Sequence, residues 1–373
     1  MSEPDTSVQN ESTPEDLLNE STVGAYLVSR GLLSDAAANV TKLAGGVSNV
    51  VLAAERGGQS FVVKQSLARL AVADEWLAPT DRVITEAETM VLLAGITPDN
   101  IPTVYDQDAE RHAITLQLAP ADWADWKTYL MAGQVQPAVA GALGGILANW
   151  HRETFLAADL GQRLEDYTAF ELLRVDPYYR TVASRAPEVA EAMNALIERM
   201  ASRRVCLVHG DFSPKNILVA PGSAQTSGPE DQADVTLWGI DLEVAHRGDP
   251  AFDVAFMCTH LLLKSLALPS ASHAFDNCLR AFTAAYCALV TSGEASGAAS
   301  GGGVSNLAPL QPDWAYIGQH IGALLLARVK GKSPVGYLDA SAEQAAWRMG
   351  VRLLSTPLSA IEELFIRRNE SRS

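Results

Sequence analysis

One stretch, residues 205–219, constrains the fold more than any other part of the chain. It reads VCLVHGDFSPKNILV, so a polar loop with His209, Asp211 and Asn216 stands between two apolar runs. Two short strands joined in this way place their loop at the edge of a core. Phosphoryl transfer uses a carboxylate to accept a hydroxyl proton and an Asn oxygen to hold Mg²⁺. The loop has both groups, although a plain polar loop after a core strand is the alternative.

A second stretch, residues 235–243, strengthens the catalytic interpretation. It reads VTLWGIDLE, a β-prone apolar run that ends in Asp241 and Glu243. If it forms a hairpin with the strand before it, Asp241 comes close to Asn216. Carboxylate and amide oxygens are the ligands that Mg²⁺ prefers. Residues 248–255, GDPAFDVA, follow and predict the start of a helix.

The three motifs HGDxxxxN, IDxE and GDPxxDxA, in this order, resemble the signature of aminoglycoside phosphotransferase and choline kinase-like small-molecule kinases. The resemblance covers about residues 21–366 and is specific in 205–255. It implies an α+β, bilobal protein-kinase-like fold, with a β-rich N-terminal lobe that has one main helix and a larger α-helical C-terminal lobe. We expect a disordered acidic tail over 1–20, a nucleotide-clamping lobe over 21–119, and the helical lobe with the substrate pocket over 120–373.

The resemblance also implies roles for the residues of the three motifs. Asp211 is the expected catalytic base, which orients the substrate hydroxyl and accepts its proton. Asn216 and Asp241 are the expected magnesium ligands. Because the second motif has the form Asp-x-Glu, Glu243 is expected to be an auxiliary metal ligand. His209 and Asp253 are expected to support the catalytic loop through hydrogen bonds; these six residues all lie in the motifs quoted above.

The N-terminal half contains a glycine pair followed by small polar residues and a strand pattern. Glycines let a backbone approach phosphates closely, and small polar side chains can donate hydrogen bonds to them. A plain hairpin turn is the alternative, but family members carry their nucleotide-covering loop at this position. The residues in question are Gly45, Gly46, Ser48 and Asn49.

Lys64 ends an apolar strand pattern, where an unpaired ammonium is costly. The kinase interpretation supplies two partners, the nucleotide phosphates and a helix Glu. A helix predicted over residues 80–94 contains Glu86 and Glu88, which cannot share a face. The family pattern favours Glu86, and Glu88 remains open. The backbone of Gln117, Leu118 and Ala119 is expected to hold the adenine.

The formal net charge of −16 says little about the substrate, because nine of the acids lie in residues 1–20 and 220–234. It argues against nucleic-acid binding. No apolar run reaches membrane-spanning length, and residues 1–16 lack the pattern of a signal peptide, so a cytoplasmic protein is expected. The four cysteines show no metal or disulfide spacing and are expected to be buried thiols.

The pattern thus predicts an ATP- and Mg²⁺-dependent kinase for a hydroxyl of a small molecule. An aminoglycoside, an amino alcohol and a sugar all remain open as the acceptor, although residues 327–330 resemble methylthioribose kinases and suggest a sugar. Residues 171–200 could line the acceptor pocket or form a solvated junction. A nucleotide-binding module without turnover is the alternative function. The oligomeric state and the role of the Gly/Ser-rich segment 291–304 are left open.

Overall fold

A five-stranded antiparallel sheet organises the first of two units in the computed structural model, which describes residues 17–43, 48–70, 78–223, 235–291 and 307–372. This unit takes its described residues from Met1–Ala87 and Thr103–Leu118, and the second unit takes them from Glu88–Pro102 and Ala119–Ser373. The expected glycine pair Gly45 and Gly46, most of the expected tail and most of the Gly/Ser-rich segment lie outside the described residues.

The sheet has the order β1-β2-β3-β5-β4, and all its neighbouring strands are antiparallel. Strands β2 and β3 form a hairpin through Gly57 and Gly58, which both have a positive φ. The strands are β1 (Asn39–Lys42), β2 (Asn49–Arg56), β3 (Gln59–Ser66), β4 (Val104–Asp108) and β5 (Ala113–Gln117). Helix α1 (Val23–Ser29) belongs to the same unit, and helix α2 (Arg82–Ala94) begins in it.

The core of the first unit lies between helix α1 and one face of the sheet. Leu52 of β2 and Phe61 and Val63 of β3 are buried in this core. Leu18 packs into the same core, and its backbone N–H donates a hydrogen bond to Gln65. Leu18, within the range expected to be a tail, is thus part of this core.

The second unit is mainly helical, as the sequence predicts. A ten-residue π-helical segment, Glu171–Arg180, interrupts the α-helices and contains a proline. The helices are α3 (Trp126–Met131), α4 (Pro137–Glu153), α5 (Thr168–Phe170), α6 (Thr181–Arg185), α7 (Ala190–Ser202), α8 (Pro250–Ala267), α9 (Ser272–Thr291), α10 (Trp314–Lys330), α11 (Ala340–Ser355) and α12 (Glu363–Arg372).

Helix α8 is the central element of this unit, because every residue from Pro250 to Leu266 is buried. A helix that is buried all round has neighbours on every side. The side chain of Asp249 caps its first turn by accepting a hydrogen bond from the Ala251 N–H. Helix α4 packs nearby against α9 so closely that a Cβ at Gly144 would lie 2.1 Å from the carbonyl oxygen of Phe282.

Two small antiparallel sheets carry the predicted motifs. One pairs β7 (Cys206–Val208) with β10 (His246–Gly248), and the other has the order β6-β8-β9. Its strands are β6 (Ala124–Asp125), β8 (Ile217–Val219) and β9 (Leu237–Gly239). The predicted α+β class is confirmed, and among the described residues no helix is long and apolar enough to cross a bilayer.

Candidate active site

The loop after β7 takes a fixed path because Gly210 adopts a conformation that side chains disfavour. Its φ is +75°, and a Cβ added there would lie 2.9 Å from the side chain and from the carbonyl oxygen of Val244. Only glycine tolerates both conditions. The chain therefore turns sharply between His209 and Asp211.

Asp253, in the first turn of α8, binds the backbone of the loop at His209 and Gly210. Its Oδ2 accepts the backbone N–H of His209 at 2.7 Å, and its Oδ1 accepts that of Gly210 at 2.9 Å. Its Oδ2 also lies 3.4 Å from Nε2 of the buried His151, whose Nδ1 contacts the Tyr286 hydroxyl at 2.9 Å. The hydrogen bonds expected of Asp253 are present, and His151 is satisfied by two partners.

The His209 ring links the two motif stretches. Its Nε2 lies 3.2 Å from the Ile240 carbonyl oxygen, and its Nδ1 lies 3.2 Å from the Asp211 backbone nitrogen. An imidazole that donates from Nε2 and accepts at Nδ1 is neutral. Burial lowers the pKa of His209 and so favours that neutral form.

The Asp211 carboxylate is buried, and three side chains converge on its Oδ2. The Arg174 Nη2 and the Lys215 Nζ each lie 2.9 Å from this oxygen, and the Asn216 Nδ2 donates to it at 2.8 Å. Arg174 also donates from Nε to the Gly210 carbonyl at 2.9 Å. One guanidinium thus fixes both the loop backbone and the carboxylate.

The charges around Asp211 keep it ionised. Burial raises the pKa of its carboxyl, but the Arg174 guanidinium and the Lys215 ammonium outweigh burial and lower it below the usual range. Asp241 is close enough to act in the opposite direction and raise that pKa. The carboxylate is therefore present at neutral pH.

The β8–β9 hairpin brings Asp241 to the same place, as predicted. Ile217 pairs with Gly239, and the Ile240 N–H donates to the Asn216 carbonyl at 3.0 Å. Asp241 then adopts a φ of +65°, a left-handed conformation that is uncommon outside glycine and that Asp tolerates better than most residues. Such outliers are concentrated at functional sites.

The predicted metal ligands have the oxygen chemistry that Mg²⁺ requires. The Asn216 Nδ2 is used by Asp211, so its Oδ1 is the atom left for coordination. Asp241 is half-buried and Glu243 is buried, and the charges of both raise the pKa of the Arg174 guanidinium. The described residues hold no group of three or more His, Cys, Asp or Glu that could bind a metal by itself. A bound nucleotide would have to complete the coordination.

Arg174 and Lys215 both contact Asp211, and the sequence motifs implied no role for either; Arg174 is the more distant of the two. It lies 37 positions before Asp211 and belongs to the π-helical segment. The sequence did offer one indication of Arg174: it is a charged residue within the otherwise apolar run Leu172–Val175. A charged residue is buried in such a run only when it is paired.

In the first unit, Lys64 and Glu86 form a buried ion pair with Nζ 2.6 Å from Oε2. Strand β3 supplies the lysine and helix α2 supplies the glutamate. Glu88 points elsewhere, since its Oε1 accepts from the Arg163 Nε at 3.2 Å. The geometry therefore selects Glu86 over Glu88 as the partner of Lys64.

The other described residues that are expected to contact the nucleotide lie at the start of β2 and at and after the end of β5. The Asn49 Nδ2 donates to the Ser48 Oγ at 2.9 Å, so these two side chains bind each other at the start of β2. Gln117 uses its Oε1 to accept from Thr103. Leu118 and Ala119 are half-buried after β5.

Residues 39–296 match the model of the phosphotransferase enzyme family, and this range includes parts of both units and all the motif residues. A methylthioribose kinase from Yersinia enterocolitica is 28% identical over 239 residues, which cover 57% of this chain and 56% of that enzyme. The corresponding enzyme of Pectobacterium atrosepticum is 27% identical over 241 residues, which are 58% of this chain and 57% of that one. The chain thus spans little more than half the length of the curated relatives it matches.

Among solved structures, a choline kinase from Streptococcus pneumoniae aligns over 90% of this chain and 98% of its own, with 14% identity and a TM-score of 0.47. An ADP-bound aminoglycoside phosphotransferase aligns over 95% of this chain and 97% of its own, with 13% identity and a TM-score of 0.42.

Proposed function

Because this chain belongs to the phosphotransferase enzyme family, we propose that it transfers the γ-phosphoryl group of ATP to a hydroxyl of a small molecule in a Mg²⁺-dependent reaction. The observation that carries the proposal is the convergence of Arg174, Lys215 and Asn216 on the carboxylate of Asp211. An enzyme that consumes ATP is expected in the cytoplasm.

In this proposal Asp211 is the catalytic base. Phosphoryl transfer proceeds through a loose transition state, so the enzyme contributes positioning and electrostatics more than strong basicity. A carboxylate with a lowered pKa suits this role, because it orients the hydroxyl and accepts the proton only as the new P–O bond forms. Asp253 and His209 keep the loop in place through the hydrogen bonds described above.

Asn216, Asp241 and Glu243 would hold Mg²⁺, which neutralises phosphate charge when bound. Lys64, held by Glu86, would contact the nucleotide phosphates. Ser48 and Asn49 with the glycine pair before them, and the backbone of Gln117, Leu118 and Ala119, are proposed to contact the nucleotide as well. A sugar hydroxyl is the acceptor favoured by the methylthioribose kinase relatives.

The test is release of ADP from ATP and Mg²⁺ against a panel of sugars, amino alcohols and aminoglycosides. Asp211→Asn keeps the size of the side chain and removes the base, so turnover should fall by orders of magnitude while ATP binding persists. Asp99→Asn is the matched control at an exposed position. Turnover by Asp211→Asn close to that of the wild type would exclude Asp211 as the base. ATP binding without turnover on any acceptor would favour a nucleotide-binding module.

A further inference from the structure

The helical unit contains a second group of polar side chains, which the proposed chemistry does not use. Helix α8 supplies His260 and Lys264, helix α10 supplies Arg328, and the segment after α10 supplies Tyr337. These four residues are called the basic cluster below. We propose that the basic cluster binds an anionic oxygen group, a carboxylate or a phosphate, on the acceptor; this inference rests on the proposed function.

The first argument is a set of polar atoms that the protein leaves without partners. The His260 Nε2, the Tyr337 hydroxyl and the Arg328 Nε are buried, and none has a hydrogen-bond partner in the part of the chain that the structure describes. Buried polar atoms in folded proteins are nearly always paired. The charge of Arg328 acts on the pKa of both His260 and Tyr337, so the three residues lie near one another. Three such atoms together indicate that a ligand completes their hydrogen bonds.

The second argument is the state of Lys264. It is 1% exposed, and its Nζ donates only weakly, to the His260 carbonyl oxygen at 3.3 Å, while it also lies 5.4 Å from the centre of the Tyr337 ring. Burial, together with the nearby charges of Lys127 and Arg328, lowers the pKa of Lys264 to about 7. An ammonium in such surroundings is stabilised by an anion.

The protein itself does not supply that anion. Asp125 is the one carboxylate among the described residues that acts to raise the pKa of Lys264. Both of its oxygens are already used to cap helix α3, where Oδ1 accepts from the Thr128 N–H and Oδ2 from the Thr128 hydroxyl. No carboxylate among the described residues pairs directly with Lys264 or Arg328, whose donors reach only a carbonyl and two hydroxyls.

The basic cluster is connected to Asp211 through one aromatic side chain. The Arg328 Nη1 donates to the Tyr178 hydroxyl at 3.2 Å, and the Tyr178 ring also lies 5.9 Å from the guanidinium carbon of Arg174. Lys215, which contacts Asp211, is close enough to act on the pKa of His260. An acceptor with its hydroxyl at Asp211 can thus extend to the basic cluster, where Arg328 and Tyr337 are only half-buried.

The positive charge of the basic cluster distinguishes between the acceptor classes that the sequence left open. Aminoglycosides, choline and ethanolamine are cations, and like charges brought together without water repel each other strongly. A sugar or hydroxy acid that carries a carboxylate or phosphate fits the basic cluster. The acidic net charge of the whole chain is thus a misleading guide to the substrate.

The test compares four compounds on one scaffold: glucose, glucosamine, gluconate and glucose 6-phosphate. Binding is measured by calorimetry in the presence of a non-hydrolysable ATP analogue, and ADP release is measured in parallel. We expect at least one of the two anions to bind at least tenfold more tightly than glucose, with glucosamine weakest. The two anions distinguish a carboxylate from a phosphate.

Lys264→Met and Tyr337→Phe should each abolish most of that preference, whereas Lys330→Met, on the exposed end of α10, should keep it. Absence of anion binding in the wild type, or binding that Lys264→Met leaves unchanged, overturns the inference. Turnover of neutral or cationic acceptors would then leave the kinase proposal standing. Anion binding that depends on Lys264 without any turnover would support the basic cluster and count against the kinase proposal.

Discussion

Arg174 and Asp211 form a buried ion pair in which the guanidinium contacts the carboxylate at 2.9 Å and also the carbonyl of the neighbouring Gly210. The pair joins the π-helical segment to the catalytic loop. It makes the ionisation of Asp211 depend on a residue that is distant in sequence.

Replacing Arg174 with Met should therefore change the pH dependence of turnover. Burial would then raise the pKa of Asp211, with Lys215 as the one remaining cation that opposes it. As the pH is lowered, activity should therefore begin to fall at a higher pH than in the wild type. We also expect kcat to fall at least tenfold. The measurement is a kcat–pH profile, with Arg180→Met, an exposed position on the same segment, as the control. An unchanged acid limb would show that Arg174 does not set this ionisation.

Asp241→Asn tests the metal assignment without disturbing the backbone. Asn tolerates a positive φ as well as Asp does, so the turn after β9 should persist. The loss of one anionic oxygen should raise the Mg²⁺ concentration needed for half-maximal activity at least tenfold. The measurement is a Mg²⁺ titration of turnover at saturating ATP. A titration that matches the wild type would remove Asp241 from the ligand set.

Glu86→Gln and Glu88→Gln separate the two glutamates of helix α2. Glu86 contacts the buried Lys64, so its neutralisation should leave that lysine poorly oriented and lower kcat/KM for ATP at least tenfold. Glu88 contacts Arg163 at a partly exposed position, so its neutralisation should change kcat/KM less than twofold. The measurement is kcat/KM for ATP from steady-state kinetics with varied ATP. A larger loss in Glu88→Gln than in Glu86→Gln would contradict the assignment of Glu86 as the partner of Lys64.

Gly210→Ala and Gly133→Ala compare two glycines with nearly the same φ, +75° and +80°. A Cβ at Gly133 would meet nothing within 4 Å, so that variant should lose only about 1 kcal/mol from the unfavourable backbone conformation. A Cβ at Gly210 would collide with Val244, so that variant should be destabilised further and should lose turnover. Urea unfolding measures both free energies, and equal losses would contradict the collision.

Lys264→Met should stabilise the protein in a pH-dependent way. The pKa of Lys264 is lowered from 10.5 to about 7, so between these values the unfolded chain binds more protons and stability rises with pH. The destabilisation caused by Lys264 is complete below about pH 7 and absent above about pH 10.5. We therefore expect Tm to rise by a few °C at pH 6 and to remain unchanged near pH 10.5, measured calorimetrically. Charges that face Lys264 are Lys127, Arg328 and Asp125, and Lys330→Met is the control.

The catalytic loop and its hairpin could be predicted because their signals are local. His209, Asp211 and Asn216 lie within eight residues, and the apolar runs around them specify short strands. Arg174 could not be located, because only the path of the π-helical segment brings it to Asp211. The basic cluster was equally hidden, since its members come from α8, from α10 and from the segment after α10, and the helical pattern identifies α8 and α10 only as core helices.

Helix α8 carries Asp253 in its first turn and Lys264 near its last, and it is buried throughout. At about 1.5 Å per residue, the backbone positions of these two residues are separated by roughly 16 Å along one rigid axis. The loop that Asp253 supports and the charge at Lys264 therefore cannot move toward each other. The separation that this helix fixes therefore determines how long an acceptor must be to engage both, so selection among hydroxyl compounds by size follows from the number of turns in α8.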